Sequence, residues 1–351
     1  ILMKSPMPSV LFSITSNPST QIPALKGRLH FMANILAVGI ATIDIINRVN
    51  GYPHEDDEIR AISQSIRRGG NATNTLVVLS QLGHQCAWSG VLIDESDATI
   101  VKQDLDVHQI SYRFCKQLST GKLPTSYITV SKPTGSRTIV HYRDCPELDF
   151  HFFSQQDLAG FDWIHFEGRN VDELDKMLRW LKTHYPHLPC SLEIEKPREG
   201  IEKLFPLADV LLFSKPYVLS QGYDSAELFL QSLSLPSLMT CTWGETGAWL
   251  KNHDVLIFSP AVPPNDVIDT LAAGDTFNAG IISGMIKQLT DEETLSFACR
   301  LAGKKCGQEG LENLLPLLQK SIFVIKMSSR NTKRGGLTLS WKTIKHWTVF
   351  Y

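Results

Sequence analysis

The segment 269–280 places a carboxylate between three small residues and an apolar run. The small residues, 272–274, allow backbone amides to approach a ligand, and the apolar run 279–285 predicts the body of a helix. Free amides at the start of a helix, assisted by the helix dipole, stabilise a bound phosphate. We expect Asp275 in the first turn, where a carboxylate can take the proton of a hydroxyl that attacks phosphorus. The alternative is a turn in which Asp275 only caps the helix.

A second segment combines the paired glycines 69 and 70 with two asparagines at the start of a predicted helix, 73–82. Gly70 allows the backbone to approach a ligand closely. Asn71 and Asn74 each offer a hydrogen-bond donor and an acceptor, which matches a sugar hydroxyl that is itself both. Capping of the helix is the alternative, but capping needs only one of the two side chains. We therefore favour contact with sugar hydroxyls.

Two further charged residues are candidates for ligand contacts. Asp44 follows the first predicted strand, and a carboxylate accepts hydrogen bonds from hydroxyls more strongly than a neutral oxygen does. Arg137 follows a predicted hairpin turn and carries a planar, permanently charged group that can clamp phosphate oxygens. Each residue has a simpler interpretation, a solvated strand end for Asp44 and a surface arginine for Arg137.

The elements that must position these residues follow an alternating pattern. Beyond residue 160, short apolar strands alternate with helical stretches, which predicts an α/β fold with a mostly parallel sheet covered by helices. The predicted strands are 163–166, 190–194, 210–213 and 238–242. Two earlier β segments, 43–66 and 124–145, are predicted to pair into one small sheet. Ligands are expected at the carboxyl ends of the parallel strands.

Composition limits the class of protein. The 351 residues are 43% hydrophobic and 20% charged with a net charge of −2, so no overall field favours nucleic acid or an anionic membrane. The seven cysteines form no Cys-x-x-Cys pair and no zinc-like spacing with histidine, which predicts reduced, mostly buried thiols and a cytoplasmic protein.

The ends of the chain differ from its middle. Residues 1–31 are rich in proline and lack periodicity, and residues 313–351 carry seven Lys or Arg and no Asp or Glu. We predict an N-terminal extension (1–31), one catalytic domain (32–312) and a basic C-terminal tail (313–351). The tail is interpreted as a solvated segment, with a phosphate-binding or membrane-binding arm as the alternative.

The two glycine-containing segments resemble the two signatures of the ribokinase-like carbohydrate kinase family, in the expected order and about 200 positions apart. The similarity extends from about residue 34 to residue 310 and is strongest to the ketohexokinase group. It is carried by Tyr52-Pro53, Glu55-Asp56, Glu58-Ile-Arg60, Arg67–Ala72, Arg137-Thr-Ile-Val140, Trp163-Ile-His165, Glu167-Gly-Arg-Asn170, Glu195-Lys-Pro-Arg-Glu199 and Ala302-Gly-Lys-Lys-Cys-Gly307. One departure is Ala272, where ketohexokinases usually have glycine.

The resemblance implies a three-layer ribokinase-like domain with a small β-sheet lid that also clasps a second subunit. It implies transfer of the γ-phosphate of ATP, carried with Mg²⁺, to a primary hydroxyl of a ketose, D-fructose giving fructose 1-phosphate; K⁺ is left open as an additional cation. The implied catalytic residues are Asp275, Gly274, Ala273, Ala272 and Arg137. The implied sugar contacts are Asp44, Gly70, Asn71, Asn74 and, across the dimer, Asp56. The implied nucleotide contacts are Trp243, Gly244, Gly247, Pro263, Gly274 and Cys306.

Three alternatives remain open at this point. The same fold could act on ribose, on a nucleoside or on another position of fructose. The chain could be a sugar-binding regulator without turnover. Binding of nucleic acid through the basic tail is ranked low, because no aromatic and basic module accompanies the tail, so the expected partners are sugar, ATP and a second copy of the chain, with neither nucleic acid nor membrane.

Overall fold

A computed structural model describes residues 32–314. The predicted extension (1–31) and the predicted basic tail (313–351), apart from its first two residues, lie outside the described part. Among the described residues, no helix has both the length and the apolar character needed to cross a membrane. All seven cysteines are free thiols; five are buried and two, Cys145 and Cys306, are half-buried.

Residues 32–314 form fourteen strands and eight α-helices. The strands are arranged in two main sheets and a two-stranded pair. The strands are β1 (Asn34–Val38), β2 (Thr42–Val49), β3 (Ser63–Gly69), β4 (Gln85–Ser89), β5 (Val91–Ile93), β6 (Lys116–Leu118), β7 (Lys122–Ser131), β8 (Arg137–Asp144), β9 (Trp163–Glu167), β10 (Cys190–Ile194), β11 (Val210–Phe213), β12 (Leu238–Thr242), β13 (Gly247–Asn252) and β14 (Val255–Pro260). The helices are α1 (Asn71–Gln81), α2 (Ala98–Val107), α3 (Phe150–Phe153), α4 (Val171–His184), α5 (Lys215–Ser220), α6 (Ala226–Ser232), α7 (Ala273–Ile286) and α8 (Asp291–Cys306).

The central sheet has eight strands in the order β14-β13-β12-β11-β10-β9-β1-β4. Its strands from β4 to β12 are parallel, and β13 and β14 are added antiparallel at one edge. The strand order reverses at β1, which pairs with β4 on one side and β9 on the other. A reversal of this kind opens a crevice at the carboxyl ends of the strands, where ligands bind. The predicted α/β fold with a mostly parallel sheet is confirmed.

Close packing holds helix α7 against its neighbours. Helix α7 contacts both α1 and α8 along its length. A Cβ atom at Gly280 would lie only 2.7 Å from the Cα atom of Ala298 in α8, so glycine permits this approach. Helix α8 begins with a capping box in which Thr290 and Glu293 satisfy each other's backbone amides. The middle of α7 is thus packed tightly against α8.

The second sheet has four strands in the order β3-β2-β7-β8. Strand β2 pairs in parallel with β7, so the two separated β segments do pair as predicted. Side chains alternate across it: Asp44, Ser126 and His141 form a polar cross-strand row on the inner face. The next row, on the outer face, is apolar. It consists of Ile66, Ile45, Tyr127 and Val140.

Candidate active site

A cavity of about 520 Å³ lies between the inner face of the small sheet and the carboxyl ends of the central strands. The small sheet contributes polar residues to its lining, among them Thr42, Asp44, Ser126, Arg137 and His141. The central domain contributes Gly70, Asn71, Asn74, Glu167, Glu193, Glu195, Ala272, Ala273, Gly274, Asp275 and Asn278. Most of the residues that the sequence assigned to sugar binding and catalysis therefore share one cavity.

The start of α7 has the geometry expected of an anion hole. Ala272 is the residue before the helix and adopts a left-handed conformation with φ 61° and ψ 13°. No side chain caps this end; the amide of Ala273 donates to the carbonyl of Thr270 at 3.4 Å, which leaves the amides of Gly274 and Asp275 for a ligand in the cavity. Asp275 lies in the first turn, is 6% exposed, and accepts a 2.8 Å hydrogen bond from Nδ2 of Asn74. Since the residue before the helix is Ala272, Asp275 is not the helix cap.

Electrostatics at Asp275 suit a proton acceptor that works near neutral pH. Burial raises the pKa of this carboxyl to about 7; the hydrogen bond from Asn74 opposes the rise, and the charges of Glu195 and Glu167 add to it. A base with a pKa near the working pH combines a useful ionised fraction with enough basicity to accept a proton. The carboxyl is therefore suited to take a proton from a bound hydroxyl.

The sugar-facing residues form a connected polar surface. Thr42 donates a 2.8 Å hydrogen bond to Asp44, whose pKa is raised, chiefly by burial. Asn71 donates through Nδ2 to the carboxylates of Glu193 and Glu195 at 3.3 Å and 3.2 Å. Gly70 has φ 102°, and a Cβ atom there would lie 2.3 Å from a backbone oxygen of residue 40. Only glycine fits this approach.

Neither asparagine caps helix α1, whose preceding residue is Gly70 and whose start lacks a side-chain cap. The helix also begins two residues before the predicted start at residue 73, since Asn71 is already helical. The capping alternative for Asn71 and Asn74 is therefore wrong. Both side chains line the cavity, and each donates through Nδ2 to a carboxylate there.

Glu193 is the residue that the sequence interpretation missed. It is 5% exposed in the middle of the parallel sheet, and its Oε1 accepts hydrogen bonds from Asn278 at 3.0 Å and from Asn71. Its Oε2 is buried without a partner among the described residues, and burial together with the charge of Asp275 raises its pKa well above the usual range. A carboxylate inside an otherwise apolar strand was the available clue, because buried strands seldom carry one.

Arg137 connects the small sheet to the loop before α7. Its Nη1 donates a 3.1 Å hydrogen bond to Oγ1 of Thr270. It also lines a second, more apolar cavity of about 350 Å³. That cavity is lined by Gly244, Gly247, Val262, Pro263, Pro264, Phe277, Ala302, Gly303 and Cys306, and it shares Arg137, Thr242, Thr270, Ala273 and Gly274 with the first. The two cavities therefore meet at the amino end of α7.

Two predicted contact residues line neither cavity. Asp56 lies in an exposed turn with φ 66°, away from both. Trp243 is half-buried, and Nζ of Lys215 lies 5.1 Å from the centroid of its ring. Its neighbours Thr242 and Gly244 line the cavities, whereas Trp243 itself does not.

Comparison with known proteins agrees with this geometry. The model of the pfkB family carbohydrate kinases matches residues 32–318. Over 298 residues the chain is 39% identical to the ketohexokinase of Mus musculus, an alignment that covers 80% of this chain and 98% of that protein. It is 21% identical to the ribokinase of Bacillus subtilis over 293 residues, covering 81% of this chain and 97% of the ribokinase.

Solved structures share the fold at lower sequence identity. A putative ribokinase from Agrobacterium tumefaciens superposes with a TM-score of 0.71 at 20% identity, covering 85% of this chain and 99% of the other. The Arabidopsis thaliana ribokinase complexed with ribose and ATP gives a TM-score of 0.67 at 18% identity, covering 82% and 99%. These likenesses confirm the ribokinase-like fold. Since the family model spans most of the sequence and a curated relative is 39% identical over nearly its whole length, this chain belongs to the pfkB family of carbohydrate kinases.

Proposed function

We propose that this carbohydrate kinase is an ATP-dependent ketose kinase that converts D-fructose to fructose 1-phosphate. The observation that carries the proposal is the position of Asp275 in a polar cavity of about 520 Å³, directly after Ala273 and Gly274, which this cavity shares with a more apolar cavity of about 350 Å³. A polar cavity suits a polyhydroxylated sugar, and an apolar one suits a flat nucleobase. The 39% identity to a ketohexokinase supports the choice of a ketose.

In the proposed reaction, an oxygen of the sugar's primary hydroxyl attacks the γ-phosphorus and its proton passes to Asp275. The bond between the γ-phosphorus and the bridging oxygen breaks, and ADP leaves with that oxygen. Amides at the start of α7 stabilise the negative charge on the transferred group, as does the guanidinium of Arg137. Asp44, Asn71 and Asn74 hold the other hydroxyls, so the reacting oxygen is oriented before transfer.

The residues that line the more apolar cavity fit a nucleotide. Gly244 and Gly247 have positive φ angles, and a Cβ at Gly247 would lie 2.2 Å from a backbone oxygen, so this turn needs glycine to form the cavity wall. The half-buried Cys306 lines the opposite side. Mg²⁺ would enter with ATP and neutralise charge on the phosphate oxygens, since it usually keeps several waters and phosphate ligands. Within residues 32–314, no cluster of three or more His, Cys, Asp and Glu is arranged to hold a metal ion.

The decisive experiment measures ADP release by the purified chain across a panel of fructose, other ketoses, ribose and nucleosides. We expect fructose to give the highest kcat/KM and NMR of the product to locate phosphate on C1. A higher kcat/KM for ribose or a nucleoside would replace fructose as the proposed substrate and leave the family assignment unchanged. Sugar binding without ADP release would favour a non-catalytic regulator. Exchange of KCl for NaCl in the same assay tests whether the enzyme needs K⁺ as an additional cation.

We further propose that the outer face of the small sheet packs against the same face of a second copy. Ile66, Tyr127, Val140 and Tyr142 are 51%, 46%, 65% and 55% exposed. They extend a continuous apolar surface around the half-buried Ile45, and one self-complementary surface is what a two-fold dimer requires. Asp56, in the same lobe, would then be available to the partner's cavity, as the family resemblance implies.

Sedimentation of the Val140→Lys variant tests the dimer. We expect the substitution to shift the protein from dimer to monomer, because it brings two like charges together in an apolar interface. Val107→Lys is the matched control, since Val107 is 76% exposed at the end of α2 and lies outside the small sheet. A wild-type protein that sediments as a monomer would refute the dimer and leave the kinase proposal intact.

A further inference from the structure

Arg68, at the end of β3, is a buried arginine to which the proposed chemistry gives no role. Its side chain is 3% exposed and forms an ion pair through Nε with Asp104 of α2. Its Nη1 donates to Oδ1 of Asn74 at 2.8 Å and to Oγ1 of Thr73 at 2.9 Å. A buried guanidinium held by a carboxylate at one end can impose an orientation on what it contacts at the other.

That orientation follows from the chemistry of the groups. A guanidinium has only donors, so the side of the Asn74 amide that faces Arg68 must be its oxygen. The amide nitrogen then faces the other way, where Nδ2 donates to Oδ2 of Asp275 at 2.8 Å. With the amide flipped, two oxygens would face each other at Asp275 and two sets of N–H donors would face each other at Arg68. The contact with Arg68 therefore fixes Asn74 as a donor to the base.

Other groups around Asp275 oppose its ionisation. The carboxyls of Glu167 from β9, Glu193 from β10 and Glu195, which follows β10, surround it. Burial and the charges of Glu195 and Glu167 disfavour the ionised form of Asp275. Arg68 favours that form, and the charge of Asp275 in turn raises the pKa of Glu193. The donor from α1 and the charge from β3 are thus the groups that keep a buried base ionised.

We propose that Arg68, anchored by Asp104, is a positioning residue that locks the Asn74 amide so that it donates to Asp275 and keeps this base ready to accept the hydroxyl proton. The inference rests on the proposed function, because it assumes that Asp275 is the base. It goes further in assigning a catalytic consequence to an ion pair between β3 and α2 that touches neither substrate.

The pH profile of kcat/KM for fructose in the Arg68→Met variant tests the proposal. Without the donor and the charge, the ionised form of Asp275 loses stabilisation and its pKa rises. We expect the acidic limb of the profile to move upward by about one pH unit. On that limb, kcat/KM should fall about tenfold more than it falls on the plateau. A purely structural role would lower the plateau or the melting temperature and leave the limb where it is, which would overturn the proposal.

Arg68→Lys covers the case in which the Met variant fails to fold. Lysine retains the buried charge, but its single nitrogen cannot contact Asp104, Thr73 and Asn74 together. We expect its limb to lie between those of the wild type and the Met variant, and an unmoved limb in a folded Lys variant contradicts the proposal. Arg179→Gln is the matched control, because it removes an arginine–aspartate pair at an exposed position of α4; its profile should match the wild type.

Different results refute the proposed kinase activity and the positioning role of Arg68. A wild-type protein that shows no sugar-dependent release of ADP refutes the proposed function. An active wild type whose acidic limb is unaffected by both substitutions at Arg68 refutes only the positioning role.

Discussion

The two sheets of this molecule are built from similar strands but are buried to different extents. In the central sheet, Ile35, Leu36 and Ala37 of β1 have no exposed surface. In the small sheet, Val140 of β8 is 65% exposed, and its outer-face neighbours are about half exposed. A strand buried on both faces is fixed by packing, whereas a strand with one open face can still respond to a partner or a ligand.

The same difference separates the chemical roles of the two regions. The central domain holds Asp275, Asn74 and Glu193 in a network of hydrogen bonds with little exposure. The small sheet presents Asp44 and Arg137 to the cavity, and side chains on its opposite face, such as Val140, are exposed. We infer that the base and anion hole are preorganised, and that the small sheet adjusts to close over the sugar.

Asp275→Asn gives the largest expected effect and tests whether the chemistry resides in the central domain. The amide keeps the shape of the side chain but cannot accept the proton, so kcat should fall by about 10³-fold or more. Sugar affinity, measured by calorimetry, should change little. A kcat within tenfold of the wild type would contradict the role of this residue. Asp56→Asn, in the exposed turn, is the comparison and should lower kcat far less.

Leu36→Ala and Val140→Ala compare how tightly the two sheets are packed. Leu36 is fully buried in β1, so its truncation should lower the free energy of unfolding by about 2 to 5 kcal/mol. Truncation of the exposed Val140 should cost less than about 0.5 kcal/mol in the monomer. Urea unfolding of both variants at low protein concentration measures the difference. Equal losses would show that the small sheet is as tightly packed as the central one.

The pH dependence of kcat/KM shows which region titrates. Asp275 must be ionised to accept a proton, and burial raises its pKa to about 7. The rate should therefore fall about tenfold per pH unit below that value. His141, on the inner face of the small sheet, has a pKa that is lowered, chiefly by burial, which moves its titration further below that of Asp275. His141→Gln should leave the limb unmoved; loss of the limb in this variant would assign it to the small sheet.

Ala272→Gly gives the smallest expected effect. Ala272 has φ 61°, a conformation that costs a residue with a Cβ about 1 kcal/mol and costs glycine nothing. Glycine also has more freedom in the unfolded chain, so the net gain in stability should be about 0.5 kcal/mol. Ala273→Gly, one residue into the helix, should instead destabilise by about 1 kcal/mol. Thermal unfolding of the two variants should move in opposite directions.

Several elements of the fold could be predicted because their patterns are local. The strands predicted at 190–194, 210–213 and 238–242 match the observed strands residue for residue. Within the predicted β segment 43–66, in contrast, residues 50–62 are not part of a strand, because β2 ends at Val49 and β3 begins only at Ser63. The prediction was wrong because the apolar residues Ile59 and Ile62 are not buried. They are 43% and 47% exposed, so packing does not require a strand there.

The site was predictable to the extent that its residues lie in one stretch of chain. The sequence by itself determined that small residues precede Asp275 and that a helix follows, because those are properties of neighbouring positions. Only the tertiary structure decided that Asn74 donates to Asp275 across 201 positions, that Glu193 lies buried beside them, and that Arg68 donates to the oxygen of the Asn74 amide. Hydrogen bonds and pKa values depend on which groups meet and how little water reaches them. Neither the hydrogen bonds nor the pKa values can be read from the separation of two residues along the chain.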